Sequence, residues 1–541
     1  MCKLIKRKEM KFKSIYLIAI ALVMITIASC KKDLLKNNTN PDQITASQYD
    51  PNLLLTTVQL NYTGSTNFGG SVWATKWGGA SMFVQHSAST NPGFYYGDKY
   101  LNNIGGMGEM FQDSYTSDVQ PVVELYALTI NNKKYINLHQ MARIMKAMVF
   151  EQITDLYGDI PYKQAGLGYY DRIYTPVYDR QQDIYADLLK EVSEATDSLG
   201  KGTDAPTGDI LYSQSGAQID KWKMFGNSLL LRIAMRLTKI DPATAQKYVT
   251  QVIGKTMKSN DDNAIVQHVS GLDINANRDA VQIFGNDSVD LRLSNTFISN
   301  LKTNKDPRLP VVSWIYITQV DADGNTIAVN ANNNPADQLG MPNGYIVGGK
   351  NTAVDLSKTP NYPKIGIFGY SRLNDNILNT SAPDLILTYS ETELLLADAA
   401  KRWNIGGSAK SHYDAGVKAA ITQLSAYGDA ATISDDDAQT YLDNHEYNDA
   451  TALEQINTQY WICTLMDEYE SFANWRRSDF PVLVPVNYPG NITSGQYVPR
   501  RFTYPPSQKI TNGENYIKAI AAQGPDKVGT RVWWDKDNGQ P

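Results

Sequence analysis

The chain has 541 residues, a net charge of −6, five scattered histidines and 33 tyrosines. An acidic chain whose Lys and Arg form no run beyond the first 13 residues cannot neutralise a phosphate backbone, which excludes nucleic acid as a partner. No histidine pair stands at a metal spacing and no H-E-x-x-H, Walker or G-x-S-x-G string occurs, so zinc, nucleotide and nucleophile-elbow chemistry and any cofactor go with it.

Residues 1–29 read as a secretory leader. Lys3, Lys6, Arg7, Lys8, Lys11 and Lys13 precede an apolar run from Ile15 to Ile27. That run is about 13 residues, short of the ~20 a bilayer-spanning helix needs. Met10 is an alternative start, since Lys11 and Lys13 suffice as the basic region. Ile27-Ala28-Ser29-Cys30 then predicts cleavage before Cys30 and lipid on its sulfur, as in bacterial lipoproteins. Losing residues 1–29 removes six cations and one acid, which takes the net charge to about −11 and leaves Cys463 with no thiol to pair with. Residues 30–52 are polar and read as a tether, with one domain over 53–541.

Helical periodicity begins near Asn131. Leu138, Met141, Met145, Met148 and Leu156 form one stripe that stops at Gly158-Asp159-Ile160-Pro161. Ile184, Leu188, Val192, Ala195 and Leu199 predict a second helix; Trp222, Phe225, Leu229, Ile233 and Leu237 a third; Ala243 to Ile253 a fourth. The scaffold thus covers about 131–255. From about 256 to 384 the period fades into a loop-rich insertion with hairpins, where Asp321-Ala322-Asp323-Gly324-Asn325 reads as a turn because the acidic spacing of a calcium loop is incomplete. Helices resume over about 385–478. Ser390 and Glu393 predict a capping box, Ser411 to Leu424 a partner helix, and Leu453, Ile456, Tyr460 and Cys463 one face of a last helix running to Trp475. Cys463 on that stripe reads as a small hydrophobe rather than a nucleophile. The tail, 479–541, is irregular. The fold class is mostly α: helix pairs of tetratricopeptide type around a loop-rich insertion with a small β-hairpin.

The positive chemical signal is aromatic. Trp73, Trp77, Phe83, Phe94, Tyr95, Tyr96 and Tyr100 crowd a Gly/Asn/Ser-rich stretch with Gln85, Asn91 and Asp98, without the stripe that would bury them on one helix face. Ring faces beside amides and acids suit a carbohydrate or an extended peptide. Trp314 and Tyr345, in the insertion, are further candidates, while Gly105-Gly106-Met107-Gly108 reads as a flexible turn.

Five strings in order carry a resemblance: Ile153 to Tyr162 (ITDLYGDIPY), Asp306 to Pro310 (DPRLP), Thr388 to Ala400 (TYSETELLLADAA), Glu470 to Pro481 (ESFANWRRSDFP) and Arg501 to Pro505 (RFTYP). Together, behind the Cys30 site, they resemble the SusD/RagB family, nearest its SusD-like second subgroup. The match departs at Asp398, where the family more often has Glu, and at Tyr469, where Gly is usual. The resemblance implies four tetratricopeptide-like helix pairs and no catalytic residues. It also implies an outer-membrane, outward-facing lipoprotein that binds glycans or peptides and passes them to a TonB-dependent β-barrel. A surface glycoside hydrolase and a structural or adhesive lipoprotein are the rival readings. The strings themselves read as scaffold, with Arg476 and Arg477 complementing a helix C-terminus.

Overall fold

In the computed structural model, residues 49–64, 70–271, 274–286, 290–320 and 326–537 are described. The leader, Cys30, most of the tether and the Asp321–Asn325 turn lie outside the described residues. Contacts divide the chain after Pro51, and the fold is that of the second unit, Asn52–Pro541. Among the described residues no helix is long and apolar enough to cross a membrane.

Helices precede the first expected one. α1 (Asn52–Tyr62) is followed by a π-helix (Gly70–Ala80), the short strand β1 (Ser87–Ser89), α2 (Ile104–Ser117) and α3 (Val119–Thr129). The glycines read as a flexible turn are instead in the first turns of α2, capped by the Asn103 side-chain oxygen Oδ1 accepting from Gly106 N–H at 3.0 Å. Two of them are glycines because of what lies above them: a Cβ on Gly108 would stand 2.5 Å from Pro505 Cα, and one on Gly106 2.9 Å from the Tyr96 ring.

The scaffold follows its apolar stripes. α4 (Ile136–Tyr157) buries the Leu138–Leu156 stripe and stops at Gly158, whose φ of +83° favours glycine. The bridge β2 (Ile160–Pro161) to β3 (Tyr178–Asp179) leads to α5 (Gln181–Ser198), α6 (Gln218–Arg236) and α7 (Pro242–Val252). Each packs on the next, and α4, α5, α6 and α7 close the first two helix pairs.

The insertion holds β4 (Ala264–Val266), α8 (Arg278–Asn286), β5 (Leu291–Leu293), α9 (Asn295–Thr303), the hairpin β6 (Ser313–Val320) and β7 (Thr326–Asn332), β8 (Arg372–Leu373) and β9 (Asp384–Leu387). β6 is the centre of a three-stranded sheet in the order β7-β6-β8, and β1 pairs antiparallel with β5, Ser87 opposite Leu293. Helices α8 and α9, and a further single turn at Leu309–Val312, thus stand where only loops and hairpins were expected. α9 is set by Ser294, whose hydroxyl accepts from Phe297 N–H.

α10 (Tyr389–Trp403), α11 (Ala409–Thr422), α12 (Asp435–Asn444), α13 (Ala452–Cys463) and α14 (Glu468–Ser478) complete the scaffold, and the tail, expected to be irregular, carries a helix of its own, α15 (Gly513–Gln523). Two expectations are corrected. The capping box of α10 uses Thr388 and Glu391, two residues before the Ser390–Glu393 pair. The single last helix is two, broken where Met466 takes φ +83° and Asp467 caps α14 by accepting from Glu470 N–H.

What joins the helices is buried charge. Arg232 on α6 donates to Glu151 on α4 at 2.9 Å, and Arg236 donates to Asp155 at 3.0 Å and to Glu470 on α14. The single O–H of Tyr460 donates to Glu470 at 2.7 Å, and its oxygen lies 3.2 Å from the Glu391 carboxyl. Beside this network Arg477 meets Asp398 at 3.1 Å, with Asn457 between α13 and both. Arg476 and Arg477 do sit in the last turn of α14, yet both are buried, Arg476 lying 4.1 Å over the Phe472 ring and 4.8 Å over Trp534. Their work is inside the core rather than at an exposed helix end.

Candidate functional site

The aromatic stretch is built on absent side chains. A Cβ on Gly78 would lie 2.9 Å from Phe94 O and 3.1 Å from Trp73 O; one on Gly97 would lie 2.7 and 2.8 Å from the carbonyls of Gly78 and Gly79. The π-helix therefore runs backbone to backbone against residues 94–97, an approach only glycine allows. π-Helical turns are rare and collect at functional sites, and this one sets the Trp73 ring 4.7 Å from that of Phe94, tilted at 44°. Asn91 fixes the other side. Its side-chain oxygen Oδ1 accepts from Gly93 N–H at 3.0 Å and Phe94 N–H at 3.4 Å, and its side-chain amide donates to Asp290 at 2.8 Å. Trp73 is half-buried and Phe94 51% exposed, so this pair faces solvent.

The other predicted rings turn inward. Trp77 is buried with its indole N–H on Asp279 at 2.7 Å, where Lys76 donates to the second oxygen at 2.7 Å. Phe83 is the hub of a closed cluster, with centroids 6.4 Å from Tyr96, 6.0 Å from Tyr100, 5.6 Å from Phe472 and 5.2 Å from Phe502. Tyr95, Tyr96 and Tyr100 have no exposed surface, and burial pushes the Tyr96 and Tyr100 phenols up. A stretch poor in Leu, Ile and Val uses rings as its core, and these residues present no surface to a ligand in this structure. Gln85 is structural as well: at φ +57° it donates to Val484 O at 2.6 Å and accepts from Thr296 at 2.8 Å. Asp98 is buried, accepting from Asn343 at 2.8 Å and Gly344 N–H at 3.0 Å, which positions the segment that carries Tyr345. Tyr345 itself is partly buried against the cluster of Ala88, Met341, Leu356 and Tyr370.

Trp314 belongs to a second cluster. Its ring lies 4.5 Å from Tyr316, two residues on along the same face of β6, and Tyr316 lies 6.2 Å from Phe368. The Arg372 guanidinium sits 4.8 Å over Trp314 and donates to the Tyr316 hydroxyl at 2.9 Å; that of Arg292 sits 5.7 Å over Phe368. Burial first, and then the neighbouring Arg372, lower Arg292 to about 10. Trp314 is only 6% exposed, whereas Tyr316 is half-buried and Phe368 43% exposed. The β1–β5 ribbon joins the clusters, because Asp290, which holds Asn91, stands two residues before Arg292. Within these two clusters Phe94 and Phe368 are thus the exposed rings, with Trp73 and Tyr316 half-buried beside them. Sequence reasoning passed over Tyr316 and Phe368, although the strand period would have paired Tyr316 with Trp314.

Cys463 donates to Tyr460 O at 3.2 Å, and burial pushes its thiol up, which disfavours a nucleophilic thiolate.

A SusD-like family model, described as starch-binding associating with outer membrane, matches residues 27–505. Among solved structures, a chitin-binding protein is 31% identical with a TM-score of 0.78, over 90% of this chain and 100% of that one. The Bacteroidetes AC2a SusD-like protein is 24% identical at TM-score 0.78, over 90% and 100%. A chitin-binding SusD homologue from Flavobacterium johnsoniae is 20% identical at TM-score 0.71, over 88% and 97%. The last two are alike in fold. No curated protein matches the chain.

Proposed function

Because the chain belongs to the SusD-like family, described as starch-binding and associated with the outer membrane, we propose that it is a lipid-anchored receptor that holds glycans without cleaving them. It then passes them to a TonB-dependent β-barrel. The observation that carries the reading is the Trp73–Phe94 pair, open to solvent beside the Asn91 amide and the Asp290 carboxylate. Ring faces take the C–H face of a sugar while amide and acid meet its hydroxyls. Phe368 and Tyr316, linked to that pair through the β1–β5 ribbon, are further candidates for ring contact with the ligand. Glycan is preferred over peptide because the family description names starch and the 31% identical relative is a chitin-binding protein. A lipid on Cys30 keeps the receptor near its barrel at high local concentration.

Calorimetric titration with malto- and chito-oligosaccharides tests the reading: the wild-type chain binds at least one series, and W73A and F94A weaken it. Binding unchanged in both variants moves the site elsewhere, and release of shorter sugars on incubation makes the chain a hydrolase instead. Fatty-acid labelling that is lost in C30A, and co-purification of a large outer-membrane barrel, test the anchor and the partner.

A further inference from the structure

Outside that face, the loop from Lys163 to Val177 presents tyrosines that the core does not use. Tyr169 is 86% exposed, Tyr174 77% and Tyr170 40%. The loop that carries them is tied down at both ends and against α3. Its base is the β2–β3 bridge, where Asp179 accepts from the N–H groups of Tyr162 at 3.2 Å and Lys163 at 2.9 Å. Val177 N–H donates to Gln164 at 3.0 Å, and Asn515 and Asn512 in the tail donate to the carbonyls of Thr175 at 3.0 Å and Pro176 at 2.7 Å. Gly166, at φ +72°, lies so close to α3 that a Cβ would stand 3.0 Å from Val123. The Tyr170 hydroxyl donates to Glu124 on α3 at 2.7 Å, and the Tyr169 ring stands 5.3 Å from it at 86°. A Cβ on Gly168 would be 3.7 Å from the Tyr174 ring, which places that ring beside the same turn.

We propose that Tyr169, Tyr170 and Tyr174 form a second carbohydrate surface, which takes a further stretch of a long glycan whose other part lies on the Trp73–Phe94 face. The inference rests on the glycan-binding reading above. Tyr170 is held before binding by Glu124, and Tyr169 packs on it; rings so held lose little conformational freedom when a ligand arrives, and tyrosine offers an apolar face with a hydroxyl at its tip. Asp171 and Arg172 are exposed between the rings as hydrogen-bonding groups. Rings set at right angles address separate sugar units, whereas a protein partner needs a broad contiguous contact that buries an apolar centre. Two modest surfaces on one body bind a long chain more tightly than either alone, without new contacts.

The test compares Y169A/Y174A, W73A and the wild-type full chain, titrated with di- and trisaccharides and with octasaccharides of the malto and chito series. Both tyrosines are exposed, so Y169A/Y174A keeps its thermal midpoint. The expected result is a loss of about tenfold or more for octasaccharides with short-oligomer affinity unchanged. Octasaccharide affinity equal to wild type overturns the proposal. So does unaltered glycan binding combined with loss of a co-purifying outer-membrane protein, which makes the surface a protein contact. Binding that survives W73A but falls in Y169A/Y174A overturns the Trp73–Phe94 reading and leaves the tyrosine surface standing, whereas a wild-type chain that binds neither series overturns both.

Discussion

The helical scaffold and the proposed ligand-facing region solve the same packing problem with opposite chemistry. The scaffold, α4 to α7 and α10 to α14, buries Leu, Ile and Met stripes and then spans the gaps between helices with guanidinium–carboxylate pairs such as Arg236 with Asp155 and Glu470. The ligand-facing region has few aliphatic stripes. It holds together through missing side chains (Gly78, Gly79, Gly97), ring-on-ring contact around Phe83, and Asn and Asp side chains that hydrogen-bond backbone. The difference teaches where recognition can vary. Removing one member of a buried charge network is costly everywhere in it. A surface ring on a turn can be exchanged with little effect on the rest of the fold.

Four measurements break or sharpen that contrast. R236A leaves Asp155 and Glu470 buried with one counter-charge fewer and lowers unfolding free energy by about 3–5 kcal/mol; denaturant unfolding reads it, and a loss under about 1 kcal/mol would show that the network contributes little. G97A drives a Cβ into two carbonyls and costs about 1–3 kcal/mol, with weaker ligand binding because Phe94 shifts; unchanged stability and affinity would remove the backbone-to-backbone argument. W73A lowers glycan affinity about tenfold, in the range for an aromatic contact, while its thermal midpoint moves by no more than a few degrees. A large fall in midpoint would make Trp73 part of the core.

The smallest effect, read one pH unit at a time, is a pH slope. Burial pushes Glu391 up to about 8 and Asp467 up to about 7. A carboxyl whose folded value exceeds its unfolded value, about 4, stabilises below that value and loses its contribution as pH rises through the folded one. Asp398 is the opposite case: against its own burial, Arg402 and Arg477 hold it well below the usual range, so its contribution is lost on acidification. The E391Q-minus-wild-type difference in unfolding free energy therefore grows by up to about 1 kcal/mol per pH unit between about pH 5 and pH 8 and then levels. A difference independent of pH would mean Glu391 is ionised in the fold throughout.

The scaffold was legible because a helix that buries one face repeats every three or four residues, and Leu138 to Leu156 does so whatever surrounds it. The break at Met466 was not legible, since Leu453, Ile456, Tyr460 and Cys463 keep their period up to a turn that only a left-handed residue reveals. The five family strings were legible as strings. Only the fold showed that three of them supply Asp155, Glu391 and Glu470 to one buried network.

By itself, then, the amino-acid order determined a mostly helical chain, two runs of paired helices split by an insertion, a family, and the aromatic richness of residues 73–100. Which rings meet solvent was decided by tertiary structure. Trp77, Phe83 and Tyr96 are closed in, while Phe94 and Phe368, from segments far apart in sequence, stay open. Burial of a ring on an irregular segment has no period to read. It depends on how closely another backbone approaches, and at Gly78 and Gly97 that distance exists only once the chain has folded.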